Sequence, residues 1–170
     1  RNLQFFRDST LTITQSIKSA INDQIQSTRS IQTFYASSLL VTNQEFMRFT
    51  LPFLYEPEKN LSFKFLEYKP NNQINKQGTM PLVIKHHAHS NNYMPATPKL
   101  SDSLSESLLQ SSSLKERPNI FISSTDGIVH IFSPVYTHKN NADYFHSVIV
   151  ASFPLSNIIQ SAIESTKVNN

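Results

Sequence analysis

Met80 to Asn91 reads Met-Pro-Leu-Val-Ile-Lys-His-His-Ala-His-Ser-Asn and gathers more groups able to do chemistry than any comparable stretch of the chain. It opens as an apolar run behind a proline, which suits a strand whose first residue need not donate a ladder hydrogen bond. It ends in imidazoles and amides, so the end of the strand is a natural pocket wall. In a regular strand His87 and His89 share one face with Lys85, and His86 points to the other. Two imidazoles on one face invite a metal, but a metal set needs three or four convergent groups, and neither a cysteine nor a nearby carboxylate completes a known spacing. No metal ligand is therefore assigned. A lysine beside two histidines suits an anionic or heteroaromatic small molecule, held through charge-assisted hydrogen bonds.

Other chemistries lack their residues. There is no Gly-x-Ser-x-Gly elbow, no glycine-rich phosphate loop and no pair of carboxylates placed for acid–base work. No catalytic residue and no cofactor are expected. Fifteen basic against twelve acidic residues leave a net charge of +3, and the lysines are scattered, which is not the footprint of a nucleic-acid binder. The chain has no cysteine, which excludes disulfides and thiol chemistry. No apolar run reaches the roughly 18 residues needed to span a bilayer, and the first residues carry no signal-peptide pattern.

The elements that must position the histidines follow from periodicity. Ile13, Ile17, Ile21 and Ile25, continued by Ile31, Phe34, Tyr35 and Leu39, predict one long helix, since neither Gly nor Pro interrupts the chain before Pro52. So long a stripe needs a partner, either the rest of the domain or the same helix of a second copy. Thr42-Asn43-Gln44-Glu45 has the form of a capping box ahead of a helix burying Phe46, Phe49 and Phe53, with Pro52 weakening its last turn. Leu61 to Tyr68 alternates as a half-buried strand, and Pro70 to Gly78 is loop by composition. A further helix is expected on Leu104, Leu108 and Leu109, with Ser103 and Glu106 as its capping box. Asn119 to Ser124 and Ile128 to Tyr136 form a hairpin around Thr125-Asp126-Gly127, in which Asp126 has a structural job. After a polar turn at Thr137 to Asp143 comes a last strand, Phe145 to Phe153. Pro154 then opens a closing helix striped by Leu155, Ile158, Ile159 and Ile163. This order favours an α+β fold with a mostly antiparallel sheet. His130, His138 and His146 have no evident constellation around them.

Several stretches, in order, resemble a CHASE domain, the extracytoplasmic sensor module of bacterial histidine kinases and cyclic-di-GMP enzymes, related to the sensor domains of plant cytokinin receptors. Phe34-Tyr35-Ala36-Ser37-Ser38 and Val41 to Phe46 are similar to the family's aromatic helix end and Glu-Phe helix start. Leu66-Glu67-Tyr68-Lys69-Pro70 is similar to its Leu-Glu-Trp-x-Pro. Pro81 begins the Pro-Val strand, and Asn91 falls on its asparagine. Pro134-Val135-Tyr136 and the run Ser147 to Phe153 match later strands, followed by Leu155 and Ile158-Ile159. The likeness spans residues 34 to 163.

The resemblance implies a PAS-like lobe behind a stalk helix, with a small-molecule ligand between sheet and helices. It implies residues 1–58 as stalk and second helix, 59–153 as the ligand-binding lobe, and 154–170 as a helix leading toward a membrane span. The whole would be the periplasmic or extracellular part of a membrane protein, self-associated through the N-terminal helix, with a histidine kinase or cyclic-di-GMP enzyme inside the cell. Tyr68 and Asn91, on the matched stretches, join Lys85, His87 and His89 as the candidate ligand-binding set. The sequence departs from the family where bacterial members carry Gly and then Asp, having Pro95 and Thr97, and where a glycine precedes the last strand, having Ser147. It also has His87 where plant receptors place a ligand-binding acid, so the cytokinin contact is not carried over. Two other readings stay open: a Cache-type sensor, and a metal-dependent hydrolase built on His86, His87 and His89.

Overall fold

A computed structural model describes residues 2–56, 60–68, 82–90, 119–124, 126–139 and 142–168. The expected helix on Leu104, Leu108 and Leu109, the loop from Pro70 to Gly78 and Asn91 lie outside the described residues.

Helix α1 spans Asn2–Ala36, one unbroken element of 35 residues. Its contact line follows most of the expected stripe, with Gln24 and Thr28 buried along it as well. The buried positions are Gln24, Thr28, Ile31 and Tyr35, with Ile17, Ile21, Ile25 and Phe34 flanking them, and Leu39 is fully exposed beyond the helix end. Thr28 tolerates burial because its hydroxyl donates to the Gln24 carbonyl one turn back. Leu3, Phe6 and Leu11, nearer the N-terminus, are exposed.

Helix α2 spans Asn43–Thr50 behind the expected capping box. The Glu45 N–H donates to Thr42 Oγ1 at 3.2 Å and the Thr42 N–H to Glu45 Oε2 at 2.8 Å, which satisfies two otherwise orphan donors. Pro52 then tightens the chain into a 3₁₀ turn over Leu51–Leu54, the local outcome of a residue that cannot continue the i−4 ladder. Phe46 is fully buried, with Phe49 and Phe53 packed at the edge of the same core.

Five strands follow: β1 (Ser62–Tyr68), β2 (Leu82–His89), β3 (Asn119–Ile122), β4 (Ile128–Lys139) and β5 (Ala142–Pro154). They form one sheet in the order β2-β1-β5-β4-β3, and every neighbouring pair is antiparallel. The fold is therefore α+β. β4 and β5 run closer together in sequence than the expected polar turn allowed: pairing continues through His138↔Asp143 and Lys139↔Ala142. The β3–β4 connection is built as the Asp-Gly signal indicates. Gly127 takes φ +67, and Asp126 Oδ1 accepts the Ile128 N–H at 3.1 Å. Pro134 sits in β4 past the end of β3, where its missing N–H costs no ladder bond on that side. Its carbonyl accepts the Gln32 side-chain amide, which pins α1 to the sheet.

Pro154 belongs to β5, opposite Ile128, and does not open the closing helix as expected. That helix, α3, spans Leu155–Val168 and starts from a Leu155 N–H bond to the Gly127 carbonyl. It presents Ile158 and Ala162 to the core, whereas Ile159 and Ile163 of the expected stripe are more than a third exposed.

The helices gather on one face of the sheet. Phe63 and Phe65 of β1, Ala88 of β2, Val129, Ile131 and Val135 of β4, and Ile149, Ala151 and Phe153 of β5 join Ile31, Tyr35, Phe46 and Ile158 in one apolar core. The opposite face has its own buried cluster of Leu66, Phe132, Val148 and Val150, with Leu82, Ile84 and Phe121 against it.

Candidate functional site

The second face of the sheet carries the chemistry. Alternation in β1 turns Phe63 and Phe65 to the helices, and hence Ser62, Lys64 and Leu66 away from them. The pairing registers place Ser62 between His89 and Ser152, with His130 beyond Ser152. One rung across the sheet therefore reads His89, Ser62, Ser152, His130, and the next reads His87, Lys64, Val150, Phe132. At about 4.8 Å between strands, the polar rung extends roughly 14 Å.

Its members are partly joined. Lys64 Nζ donates to Ser62 Oγ at 3.3 Å, and His130 Nδ1 lies 2.9 Å from Ser152 Oγ. A hydroxyl proton donated to Nδ1 leaves His130 with its own proton on Nε2. Among the described residues that buried Nε2 has no partner, and neither has the buried Nδ1 of His87. His130 lies between Phe121 and Phe132, with ring centroids 6.3 and 6.2 Å away and ring planes within 28°. His87 and His89 meet edge-on at 6.3 Å.

Burial sets the charge states. Loss of water pushes the Lys64 ammonium down to about 8. Burial, and then the nearby Lys64 charge, pull His87 to about 4, with a smaller contribution from His89. His130 is lowered to about 4 by burial and then Lys64, against a weaker opposing pull from Asp126. His89 is lowered for the same two reasons. Near neutral pH the face thus holds one ammonium among neutral imidazoles. Among the described residues no carboxylate pairs with Lys64.

The sequence-based set is only partly assembled here. His87 and His89 do share this face. Lys85 does not join them: the β1–β2 register slips between Phe65 and Leu66, so Phe65 faces His86, Leu66 faces Ile84, and Lys85 is the bulged residue between. Its ammonium instead ion-pairs with Glu67 at 2.9 Å, and Glu67 shares the alternation of Phe63 and Phe65. The backbone of Tyr68 pairs with Leu82 at the far end of β1, and Asn91 lies outside the described residues.

His86 points to the face opposite His87 and His89, as expected, and that face is the helix side. Its Nδ1 is 3.3 Å from Asn43 Oδ1, and its ring lies near Tyr35, Phe46 and Phe65. Burial first, then Lys85, lowers its basicity, with the Val41 carbonyl and Glu67 opposing. His86 therefore cannot converge with His87 and His89 on one metal, and among the described residues no group of three metal-binding side chains forms.

Sequence reasoning missed Lys64, Ser62, Ser152 and His130. In Leu61-Ser62-Phe63-Lys64-Phe65 the polar alternates read as a solvent face, and nothing local marks that face as buried. His130 lacked a visible constellation because its partners, Phe121 and Ser152, come from two other strands.

No family model matches the chain, and neither a curated protein nor a solved structure is significantly similar to it.

Proposed function

We propose that the chain is the ligand-binding sensor module of a membrane-bound signalling protein, lying on the periplasmic or extracellular side and acting on a histidine kinase or cyclic-di-GMP output. The observation that carries the reading is the band of buried Ser62, His87, His130 and Ser152 around a partly buried Lys64, in which one ring nitrogen each of His87 and His130 has no partner among the described residues. Burying polar groups without partners costs folding energy, so a face that served packing alone would gain from apolar residues there. The resemblance to CHASE domains and the sheet order, with a long helix on the other face, support the same reading.

The route of the signal is short. Lys64 lies in β1 between Phe63 and Phe65, and Phe65 stacks on Tyr35 of α1 with centroids 3.8 Å apart. A ligand that grips Lys64 acts on the strand against which the end of α1 is packed. The signal is the difference in its affinity for two positions of that helix. No helix among the described residues is long and apolar enough to cross a membrane, so anchoring is assigned to segments outside them.

A thermal-shift screen against purines, amino acids, carboxylates and short acyl compounds tests the reading, since a ligand of the folded state raises its stability by mass action. A saturable shift lost in His130→Phe supports it; shifts that survive that change place the ligand elsewhere and sink this site. Self-association belongs to the same proposal. Ile17 and Ile21 are occupied by the chain's own core, so pairing falls to Leu3, Phe6 and Leu11. Sedimentation is expected to show a dimer that dissociates in Phe6→Glu, Leu11→Glu; a monomer at high protein concentration rejects pairing through this surface.

A further inference from the structure

We propose that the second face of the sheet binds a small organic anion through its oxyanion group, with Lys64 as the charge partner and the free nitrogens of His87 and His130 as flanking hydrogen-bond donors. The proposal rests on the sensor reading and names the ligand class of that site.

Three observations carry it. The first is the missing counter-charge. Lys64 leans along the sheet toward Ser62, and a neutral hydroxyl is its hydrogen-bond partner among the described residues. Two acids of the sheet and its turns are engaged elsewhere: Glu67 with Lys85 on the helix side, and Asp126 with the Ile128 N–H in the hairpin turn. An ammonium removed from water without an anion is costly, and an arriving oxyanion supplies the charge-assisted bonds it lacks.

The second is the pair of unpartnered ring nitrogens. His87 and His130 are only 7% and 5% exposed, yet His87 Nδ1 and His130 Nε2 have no hydrogen-bond partner among the described residues. Ser152 orients the His130 ring and accounts for its other nitrogen, the arrangement expected of a donor held ready for a guest. His87 is the direct cross-strand neighbour of Lys64, so the two can address the same oxygen-bearing group.

The third is the shape of what lies between them. From Lys64 toward His130 the face is paved by Val150, Phe132 and Phe121. This suits an apolar or planar body that ends in a hydrogen-bond acceptor for His130. A single ammonium among neutral imidazoles favours a singly charged ligand. A hydrated metal cation fits poorly beside that ammonium.

The test uses the whole chain with defined probes: a series of aliphatic and aromatic monocarboxylic acids, their uncharged amides, the matching phosphate monoesters and inorganic phosphate. Wild type, Lys64→Met, Lys64→Gln and His130→Phe are compared by calorimetric titration after circular dichroism has established that each is folded. At least one acid or phosphate is expected to bind saturably, at least tenfold more tightly than the matching amide, with binding lost in both Lys64 variants. The better of the two anion series identifies the source of the oxyanion. Ligand-free Lys64→Met is expected to melt several degrees above wild type, because an uncompensated charge has left a partly buried, desolvated position.

Equal binding of acid and amide, retained affinity without Lys64, or a lower melting point for Lys64→Met overturns the anion assignment. Tight binding of a neutral amide that is abolished by His130→Phe leaves the sensor reading standing while the anion class falls. Failure of every acid, phosphate and amide to bind overturns the anion class, and the sensor reading falls with it only if the purines and amino acids of the wider screen also give no shift.

Discussion

The melting temperature is expected to rise in two separate steps with pH, one between about 4 and 6.5 and another between about 8 and 10, with a plateau between them. The acid step comes chiefly from His87 and His130, each lowered to about 4 in the folded protein against an ordinary value of 6.5, with His86 and His89, also lowered, adding to it in the same direction. Between those values the unfolded chain holds protons that the folded chain refuses, so stability falls as pH drops and the loss is complete below about 4. A tenfold weakening of proton binding on folding corresponds to about 1.4 kcal/mol, so His87 and His130 each contribute on the order of 3 kcal/mol to the loss. At about 2–4 °C per kcal/mol for a chain of this size, the acid step is large enough to unfold a marginally stable domain.

The alkaline step has the same sign for a different reason. Lys64 is lowered to about 8 from an ordinary 10.5; above pH 8 the folded protein sheds a proton that the unfolded chain retains, and stability rises. The gain is on the order of 3 kcal/mol and is capped near pH 10. There Tyr35, raised well above its usual value by burial and then by Glu67, stays protonated while the unfolded chain ionises, so the slope reverses. The groups facing Lys64 are His87, His89 and His130, all neutral in this range, so the step belongs to Lys64 alone. Calorimetric scans from pH 4 to 10 check both steps. His87→Asn with His130→Asn should remove most of the first, leaving the part due to His86 and His89, and Lys64→Met should erase the second. A profile that is flat from pH 4 to 6.5 would mean that the His87 and His130 rings are solvated.

Much of the scaffold could be read from local chemistry. The capping box at Thr42 and Glu45, the Asp126-Gly127 turn and the uninterrupted α1 each rest on residues adjacent in sequence, and each forms as expected. The errors arise where the answer depends on distant partners. Lys85 left the histidine face because of a bulge against β1, and neither strand's own pattern announces a bulge. Pro154 is as compatible with a helix start as with the end of a strand; its pairing with Ile128 decided the matter. The face bearing Lys64 was invisible for a deeper reason: alternation tells which side chains point together, never which of two faces is buried. Ile159 and Ile163 show the converse, since an apolar stripe wider than its contact leaves its edge exposed.

The second large effect falls on the helix side. Phe46→Ala is expected to destabilise the domain by about 3–5 kcal/mol, the range for emptying a fully buried phenylalanine site. Phe46 is the point where three elements meet. Its ring stands 6.0 Å from Tyr35 of α1 and 5.6 Å from His86 of β2, and both those rings also contact Phe65 of β1. Relaxation into the gap is restricted because Asn43 holds the His86 ring and the Tyr35–Phe65 stack is nearly parallel at 9°. Phe49→Ala supplies the comparison. That ring stacks on Phe34 at 4.3 Å but is only partly buried, so its loss should cost less than half as much. Urea denaturation distinguishes the two through the transition midpoint. If Phe49→Ala proves the more damaging, the Phe34–Phe49 stack, and not the Tyr35–Phe46–His86 cluster, joins α1 to the rest of the domain. The route proposed for the signal from Lys64 through Phe65 to α1 would then have to be redrawn through α2.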